Sequence, residues 1–186
     1  MYLCDDFGDH LLCCIRNNFS KRHNAVQEAL CDLLTASGQG HAREVRIPNM
    51  ADEELRPADI LLNSFQDGRP TALDITIAHG WQVAEQGTVS RERWRAFLRK
   101  KEAKKHGKYD VPCQAAGWGF TAMAFGTWGG LGPEGAKVLH RLVKRAASWQ
   151  EGELRALRQR ELLETISLAL MRQVWKLLGN KTLFLR

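Results

Sequence analysis

The stretch that decides the fold is RPADILLNSFQDGRPTALDITIAHG, which runs from Arg56 to Gly80. Two segments in it, ADILLN and TALDITIA, are rich in aliphatic and β-branched residues, which is typical of strands. The Gly-, Asp- and Pro-containing SFQDGRP between them predicts a turn. Each strand carries one aspartate, Asp59 and Asp74, in apolar surroundings. A buried carboxylate is costly unless it is paired or binds a metal ion, so these two residues are the first candidates for a functional site.

The alternation of side chains along the second strand defines which residues share a face. Asp74, Thr76 and Ala78 point to one side, and the aliphatic residues between them point to the other. If the two strands are neighbours, Asp59 and Asp74 can converge at one end of the sheet. Hard cations such as Mg²⁺ bind one or two carboxylates together with water and phosphate oxygens. The pair is thus a candidate site for Mg²⁺ or Mn²⁺, and turn capping or pairing with arginine is the alternative.

The remaining sequence predicts further helices and strands around these two. Helices are expected over 22–36, 90–109, 133–148 and 151–179, and additional strands over 43–48 and 120–125. This order predicts an α/β protein with a mixed central sheet flanked by helices. We expect an N-terminal Cys/His-containing segment at 1–20, a core domain at 21–150 and a C-terminal helix at 151–186.

Composition narrows the class of protein. No apolar run approaches the roughly 18 residues of a membrane span, and the polar start MYLCDDFGDH is unlike a signal peptide. The five cysteines do not resemble a secreted disulfide framework, which favours free thiols in a reducing compartment. We therefore expect a soluble intracellular protein with no membrane partner. Cys31 and Cys113 are expected to be buried.

Basic residues are concentrated between Arg91 and Lys108. Nine lysines and arginines and only two glutamates leave this segment a charge of +7, against +6 for the whole chain. An exposed helix face explains such a run in most proteins, and a polyanion partner is the alternative.

The basic helix also offers a substitute for a residue that the strands lack. Thr76 stands two residues after Asp74, where a lysine would complete a familiar nuclease pattern. Three lysines continue the apolar face of the helix at spacings of i, i+4 and i+7, namely Lys101, Lys105 and Lys108. One of them could deliver an ammonium group to the carboxylates from outside the strand.

An ordered set of segments resembles a known family. DDFGDHLLCC, KRHNAVQEALCDLL, REVRIP, RPADILL, ALDITIAH, EAKKHGKY and GGLGPEG are similar to the restriction-like endonuclease region at the C-terminal end of site-specific non-LTR retrotransposon polyproteins. That region belongs to the PD-(D/E)xK nuclease superfamily, whose core is an αβββαβ arrangement. The resemblance implies a metal-dependent DNA endonuclease, without the reverse transcriptase of the parent polyproteins.

The resemblance also implies roles for particular residues. Asp59 and Asp74 match the two acidic motifs and would hold Mg²⁺ or Mn²⁺. The lysine of a displaced KxxKY motif corresponds to Lys105 or Lys108. The superfamily sometimes adds a carboxylate from the first helix, for which Glu28 is the candidate, with an ordinary exposed helix position as the alternative. DNA contacts are expected from His23, Arg91, Arg95, Lys101 and Lys104.

Three further expectations concern the N-terminus, the assembly and rival functions. His10 and Cys14 match a GDH…C element of the family and could bind zinc with Cys4 or Cys13, and a degenerate remnant is the alternative. A homodimer is expected to be compatible with the fold, and a eukaryotic protein would be nuclear. The rival functions are a structure-selective nuclease of the Holliday-junction-resolvase kind, a nucleic-acid-binding module that has lost cleavage, and an interaction domain for an acidic protein.

Overall fold

The computed structural model describes residues 19–47, 58–79, 90–127 and 130–147, together with parts of 154–172. The elements are helix α1 (Phe19–Ala36), strands β1 (His41–Val45), β2 (Ala58–Gln66) and β3 (Arg69–Ala78), helix α2 (Arg91–Ala115), strand β4 (Gly119–Gly126) and helix α3 (Pro133–Ala146). The described residues of 154–172 are also helical. This order confirms the predicted α/β class.

The four strands form one mixed sheet in the order β1-β2-β3-β4. The pairs β1–β2 and β2–β3 are antiparallel, whereas β3 and β4 are parallel. Parallel neighbours need a long crossover connection, and the segment that contains α2 provides it. The mixed sheet with flanking helices is the predicted architecture, and α2 is the element that crosses from β3 to β4.

The hairpin between β2 and β3 is tighter than its sequence suggested. The turn is limited to Asp67 and Gly68, which have φ values of 52° and 73°. Two successive residues with positive φ are typical of the two-residue turns that match the twist of a hairpin. Both strands therefore extend into the segment predicted as loop. Helix α2 likewise continues past its predicted end at residue 109 and includes Pro112.

The two faces of the sheet bury different sets of side chains. One face packs Ile60, Leu73 and Ile75 against α1 and α3 in the main core. The opposite face contacts α2 through a smaller cluster that includes Tyr109 and Cys113. The predicted alternation along β3 is therefore correct, and it turns Asp74 toward α2.

The described cysteines are structural. Cys31 and Cys113 are free and buried, as predicted. Burial, followed by the nearby charges of Asp110 and Asp74, raises the pKa of Cys113 to about 12. The thiol therefore stays protonated in the folded protein. Among the helices that the structure describes, none combines the length and the apolar character needed to cross a membrane.

Candidate active site

Asp74 and Lys105 form the centre of the site. Asp74 lies within β3 with its side chain 4% exposed, and Lys105 Nζ approaches both carboxylate oxygens, 2.9 Å from Oδ2 and 3.0 Å from Oδ1. The Thr76 hydroxyl donates a further hydrogen bond of 3.2 Å to Oδ2. Among the three lysines on the predicted helix face, Lys105 is the one that the structure brings to Asp74.

The ion pair does not fully compensate the buried charge of Asp74. Burial raises the pKa of Asp74 above its ordinary value, the charge of Lys105 lowers it, and the negative charge of Asp59 raises it again, with a net increase. Desolvation disfavours the charged form of a carboxylate, and a nearby cation favours it. An additional cation next to Asp74 would therefore be stabilised electrostatically.

Asp59 occupies the adjacent strand at the same level of the sheet. The antiparallel register pairs Ile60 with Leu73, so one further step places Asp59 opposite Asp74. Asp59 Oδ2 accepts a hydrogen bond from the main-chain N–H of Ile75, with an N···O distance of 2.5 Å. The two aspartates of the opening stretch thus lie on neighbouring strands, and their charges interact.

His23 on α1 contacts Asp59 directly. The distance from His23 Nε2 to Asp59 Oδ2 is 3.0 Å, and both side chains are largely buried. Burial lowers the pKa of His23, but the hydrogen bond and the charge of Asp59 raise it more, so the net pKa is above its ordinary value. The structure therefore gives His23, predicted as a DNA contact, a place beside the first acidic residue.

The donor set fits a hard divalent cation. Asp59 and Asp74 offer carboxylate oxygens, which are the ligands that Mg²⁺ and Mn²⁺ accept together with water and phosphate. Among the residues described in the structure, no group of three or more His, Cys, Asp or Glu side chains is arranged to hold a metal ion. A closed zinc site needs four ligands, which is more than the two carboxylates supply. The predicted zinc ligands Cys4, His10 and Cys14 lie outside the described residues.

Several predicted site residues lie apart from the two aspartates. Glu28 is exposed on α1, and no hydrogen bond or ion pair joins it to Asp59 or Asp74 in the described part of the chain. The reason is geometric, because one residue along a helix turns the side chain by about 100° and it is the neighbouring Gln27 that faces the sheet. Lys108 is exposed, with Nζ 4.9 Å from the centre of the Tyr109 ring.

The predicted DNA contacts on α2 are accessible. Arg91, Arg95 and Lys104 are exposed, and Lys101 is partly buried with Nζ 5.1 Å from the centre of the Phe97 ring. Further basic residues of α2 are also exposed: Arg93, Arg99, Lys100 and Lys108. Helical spacing makes Lys104 and Lys108 neighbours of Lys101 and Lys105, so this basic surface continues to the carboxylate site.

Glu102 is a site-supporting residue that the sequence did not reveal. It is 3% exposed, and its Oε1 accepts hydrogen bonds from the main-chain N–H groups of Glu134 (3.2 Å) and Gly135 (3.1 Å) in the first turn of α3. Burial raises the pKa of Glu102, although these hydrogen bonds lower it. The signal was its position four residues after Leu98, on the buried face of the helix.

His106 forms a second link between α2 and α3. Its Nδ1 lies 2.7 Å from Asp110 Oδ1, and its Nε2 lies 2.6 Å from Glu134 Oε2. Burial lowers the pKa of His106, but the hydrogen bonds and charges of Glu134 and Asp110 raise it more. With Glu102, this contact fixes α2 at the position from which Lys105 reaches Asp74.

Comparison with protein-family models and with curated proteins finds no match to this chain. Fold and site define an α/β protein whose mixed sheet carries two adjacent carboxylates and a lysine supplied by the crossover helix. The likeness to restriction-like endonucleases stays a prediction from the sequence.

Proposed function

We propose that the protein is a Mg²⁺- or Mn²⁺-dependent DNA endonuclease. The observation that carries this proposal is the contact between Lys105 and both oxygens of Asp74, with Asp59 at the same level of the neighbouring strand. Two carboxylates can hold the metal ion that assists phosphodiester hydrolysis, and an amine can stabilise the charge that develops on the phosphate.

Each residue has a task in this proposal. Asp59 and Asp74 would hold the cation, which when bound polarises the scissile phosphate and lowers the pKa of water. The side chain of Lys105 is 30% exposed, so the lysine lies at the boundary between the protein interior and solvent. It would stabilise the negative charge that develops on the phosphate during hydrolysis. Thr76 fixes the orientation of the Asp74 carboxylate.

Helix α2 would bind the DNA backbone. Its exposed side chains form a positive surface adjacent to Lys105, whereas the acidic residues Asp110 and Glu134 lie together on another flank, bound to His106. Phosphate contacts from lysine and arginine supply most non-specific affinity for DNA. A DNA substrate would place a eukaryotic protein in the nucleus, and a homodimer would allow both strands to be cut.

A nucleic-acid-binding module without cleavage is the second candidate. The observation that favours it is that Lys105 and Thr76 already occupy the carboxylate of Asp74. If the ion pair is permanent, the site excludes a metal ion, and the basic helix alone acts. Both candidates require binding to DNA, and they differ in whether a metal ion supports hydrolysis.

Nicking of supercoiled plasmid and of a branched duplex, with Mg²⁺ or Mn²⁺, tests the proposal. We expect wild-type protein to nick, with a preference for the branched substrate only if it is a structure-selective nuclease. Asp74→Asn should reduce nicking at least 100-fold while DNA binding in Ca²⁺ persists. Asp32→Asn, the same change at an exposed position of α1, is the matched control.

The outcomes separate the candidates. Salt-sensitive DNA binding without nicking in any metal would favour the binding module. Binding that does not weaken with salt would exclude phosphate contacts and would contradict both candidates.

A further inference from the structure

Gln27 is a buried polar residue with every donor used. Its side chain on α1 is 2% exposed, and Nε2 donates to the main-chain carbonyl oxygen of Asp59 (2.7 Å) and to Glu44 Oε1 (2.8 Å). Its Oε1 accepts a hydrogen bond of 3.2 Å from Arg43 Nη2. A carboxamide has two donor hydrogens on nitrogen and acceptor sites on oxygen. The reversed orientation would place its oxygen against two acceptors, so the amide has one stable orientation.

The main chain of β1 is irregular next to Gln27. Strand β1 pairs with β2 at Arg43↔Ile60 and Val45↔Ala58, and the intervening Glu44 has φ 53°. Positive φ is uncommon for a residue other than glycine and persists only where the surrounding structure holds it. The edge strand is therefore irregular opposite Asp59. The carbonyl of Asp59 is bonded to a side chain of α1 at this level.

The carboxylate of Asp59 is fixed by the same helix. His23 lies four residues before Gln27, so both side chains project from one face of α1. His23 contacts Oδ2 of Asp59, and Gln27 binds its carbonyl oxygen. Helix α1 thus contacts both the side-chain carboxylate and the main-chain carbonyl of Asp59, the residue that would bind the metal ion.

We propose that Gln27 is a positioning residue of the metal site, which holds the main chain of Asp59 so that its carboxylate stays at the level of Asp74. This inference rests on the proposed function. Residues that orient metal ligands without touching the metal typically change metal affinity or activity 10- to 100-fold when they are mutated. Glu28, the adjacent residue, lacks this role because it points to solvent.

The competing explanation is that Gln27 only ties α1 to β1 through Glu44 and Arg43. Two variants distinguish these roles. Gln27→Met removes every hydrogen bond at nearly constant volume. The double variant Gln27→Glu/Glu44→Gln exchanges donor and acceptor, so the tie between positions 27 and 44 is kept. Position 27 then no longer donates to the Asp59 carbonyl.

Three measurements on the full chain follow: the Mn²⁺ dissociation constant by paramagnetic-resonance titration, the urea midpoint, and the amide exchange rate of Ile75 relative to Ile77. We expect both variants to bind Mn²⁺ at least tenfold more weakly than wild type. The double variant keeps the hydrogen bond between positions 27 and 44 but should not regain Mn²⁺ affinity, because its carboxylate at position 27 faces the Asp59 carbonyl oxygen and cannot donate to it. Gln114→Met, the same change at an exposed position of α2, should alter none of the three.

Recovery of Mn²⁺ affinity together with stability in the double variant would overturn the proposal. So would wild-type affinity in Gln27→Met. Amide exchange of Ile75 can be measured without a metal ion. It reports on Asp59 because the Ile75 N–H donates to Asp59 Oδ2. The proposed function fails if wild-type protein does not bind Mn²⁺, or if Asp59→Asn leaves its Mn²⁺ binding unchanged. Faster Ile75 exchange in Gln27→Met would then still support positioning of Asp59, and unchanged exchange would refute it.

Discussion

Lys105 Nζ lies within 3.0 Å of both carboxylate oxygens of Asp74, and this contact joins the crossover helix α2 to the centre of the sheet. Asp74 is almost fully buried, whereas Lys105 is partly exposed. Removal of one partner therefore has different consequences for Asp74 and for Lys105. An isolated lysine can turn toward solvent, but an isolated Asp74 stays in the interior.

Lys105→Met should destabilise the protein by about 3 kcal/mol at neutral pH, because it leaves a buried charge without its partner. The charge of Lys105 lowers the pKa of Asp74, so the substitution raises a pKa that burial has already raised. A carboxyl group with a higher pKa in the folded state binds more protons there, and stability falls as pH rises from its ordinary pKa to the folded one. The loss should thus shrink as pH decreases toward 4.

Urea unfolding between pH 4 and pH 8 measures this effect. Lys104→Met, at the adjacent exposed position, is the control and should change stability by less than about 0.5 kcal/mol at every pH. An equal loss at pH 4 and pH 8 for Lys105→Met would contradict the role assigned to Asp74.

Glu102 and Gly132 should be coupled in stability. The N-cap position of α3 is Gly132, which has no side chain to cap the helix, and Glu102 supplies the acceptor from α2. A Cβ at Gly132 would collide with Oε1 of Glu102. Gly132→Ala should therefore cost about 1–3 kcal/mol, and much less when Glu102→Ala has removed the carboxylate.

A double-mutant cycle by chemical denaturation tests this coupling. Gly107→Ala is the reference, since no atom lies within 4 Å of its added Cβ and alanine favours the helix by about 1 kcal/mol. Additive losses from Gly132→Ala and Glu102→Ala would show that the two residues are not in contact.

The strands were predictable from sequence because their signal is local. Alternation in TALDITIA placed Asp74 and Thr76 on one face, and the hydrogen bond between their side chains agrees with it. Helical spacing indicated Lys101, Lys105 and Lys108 as candidates, and the structure selects Lys105. The extent of α2 was missed, because the helix continues through Pro112 to Ala115 and buries Tyr109 and Cys113 against the sheet.

The supporting residues could not be predicted in the same way. Gln27 and Glu102 depend on which elements pack against α1 and α2, and that information is absent from a single helix pattern. The resemblance implies Glu28, but only the packing decides which of two neighbouring side chains points inward, and that residue is Gln27. His106 similarly has partners on its own helix and on α3, 28 residues away.

His106 should make stability depend on pH. Its pKa in the folded state is above the ordinary value of 6.5. The stabilisation by Asp110 and Glu134 is therefore fully present below the unfolded pKa and is lost as pH rises through the folded pKa. In the wild-type protein we expect the free energy of unfolding to decrease by about 1 kcal/mol between pH 6 and pH 9, and His106→Gln should abolish this decrease. His140→Gln, at an exposed position of α3, should retain that decrease.

The basic surface of α2 should determine how DNA affinity depends on salt. Each phosphate contact contributes about 0.9 to the slope of log K against log salt concentration for duplex DNA. Lys100→Gln and Lys104→Gln should each lower the slope by roughly one and weaken binding to all sequences alike, because a phosphate contact carries no sequence information.

Fluorescence anisotropy of labelled DNA from 50 to 300 mM KCl measures this slope. Arg160→Gln removes a positive charge that is already paired with Glu164, so it should leave the slope unchanged. Equal decreases for all three variants would mean that net charge governs binding, and the DNA path along α2 would then be wrong.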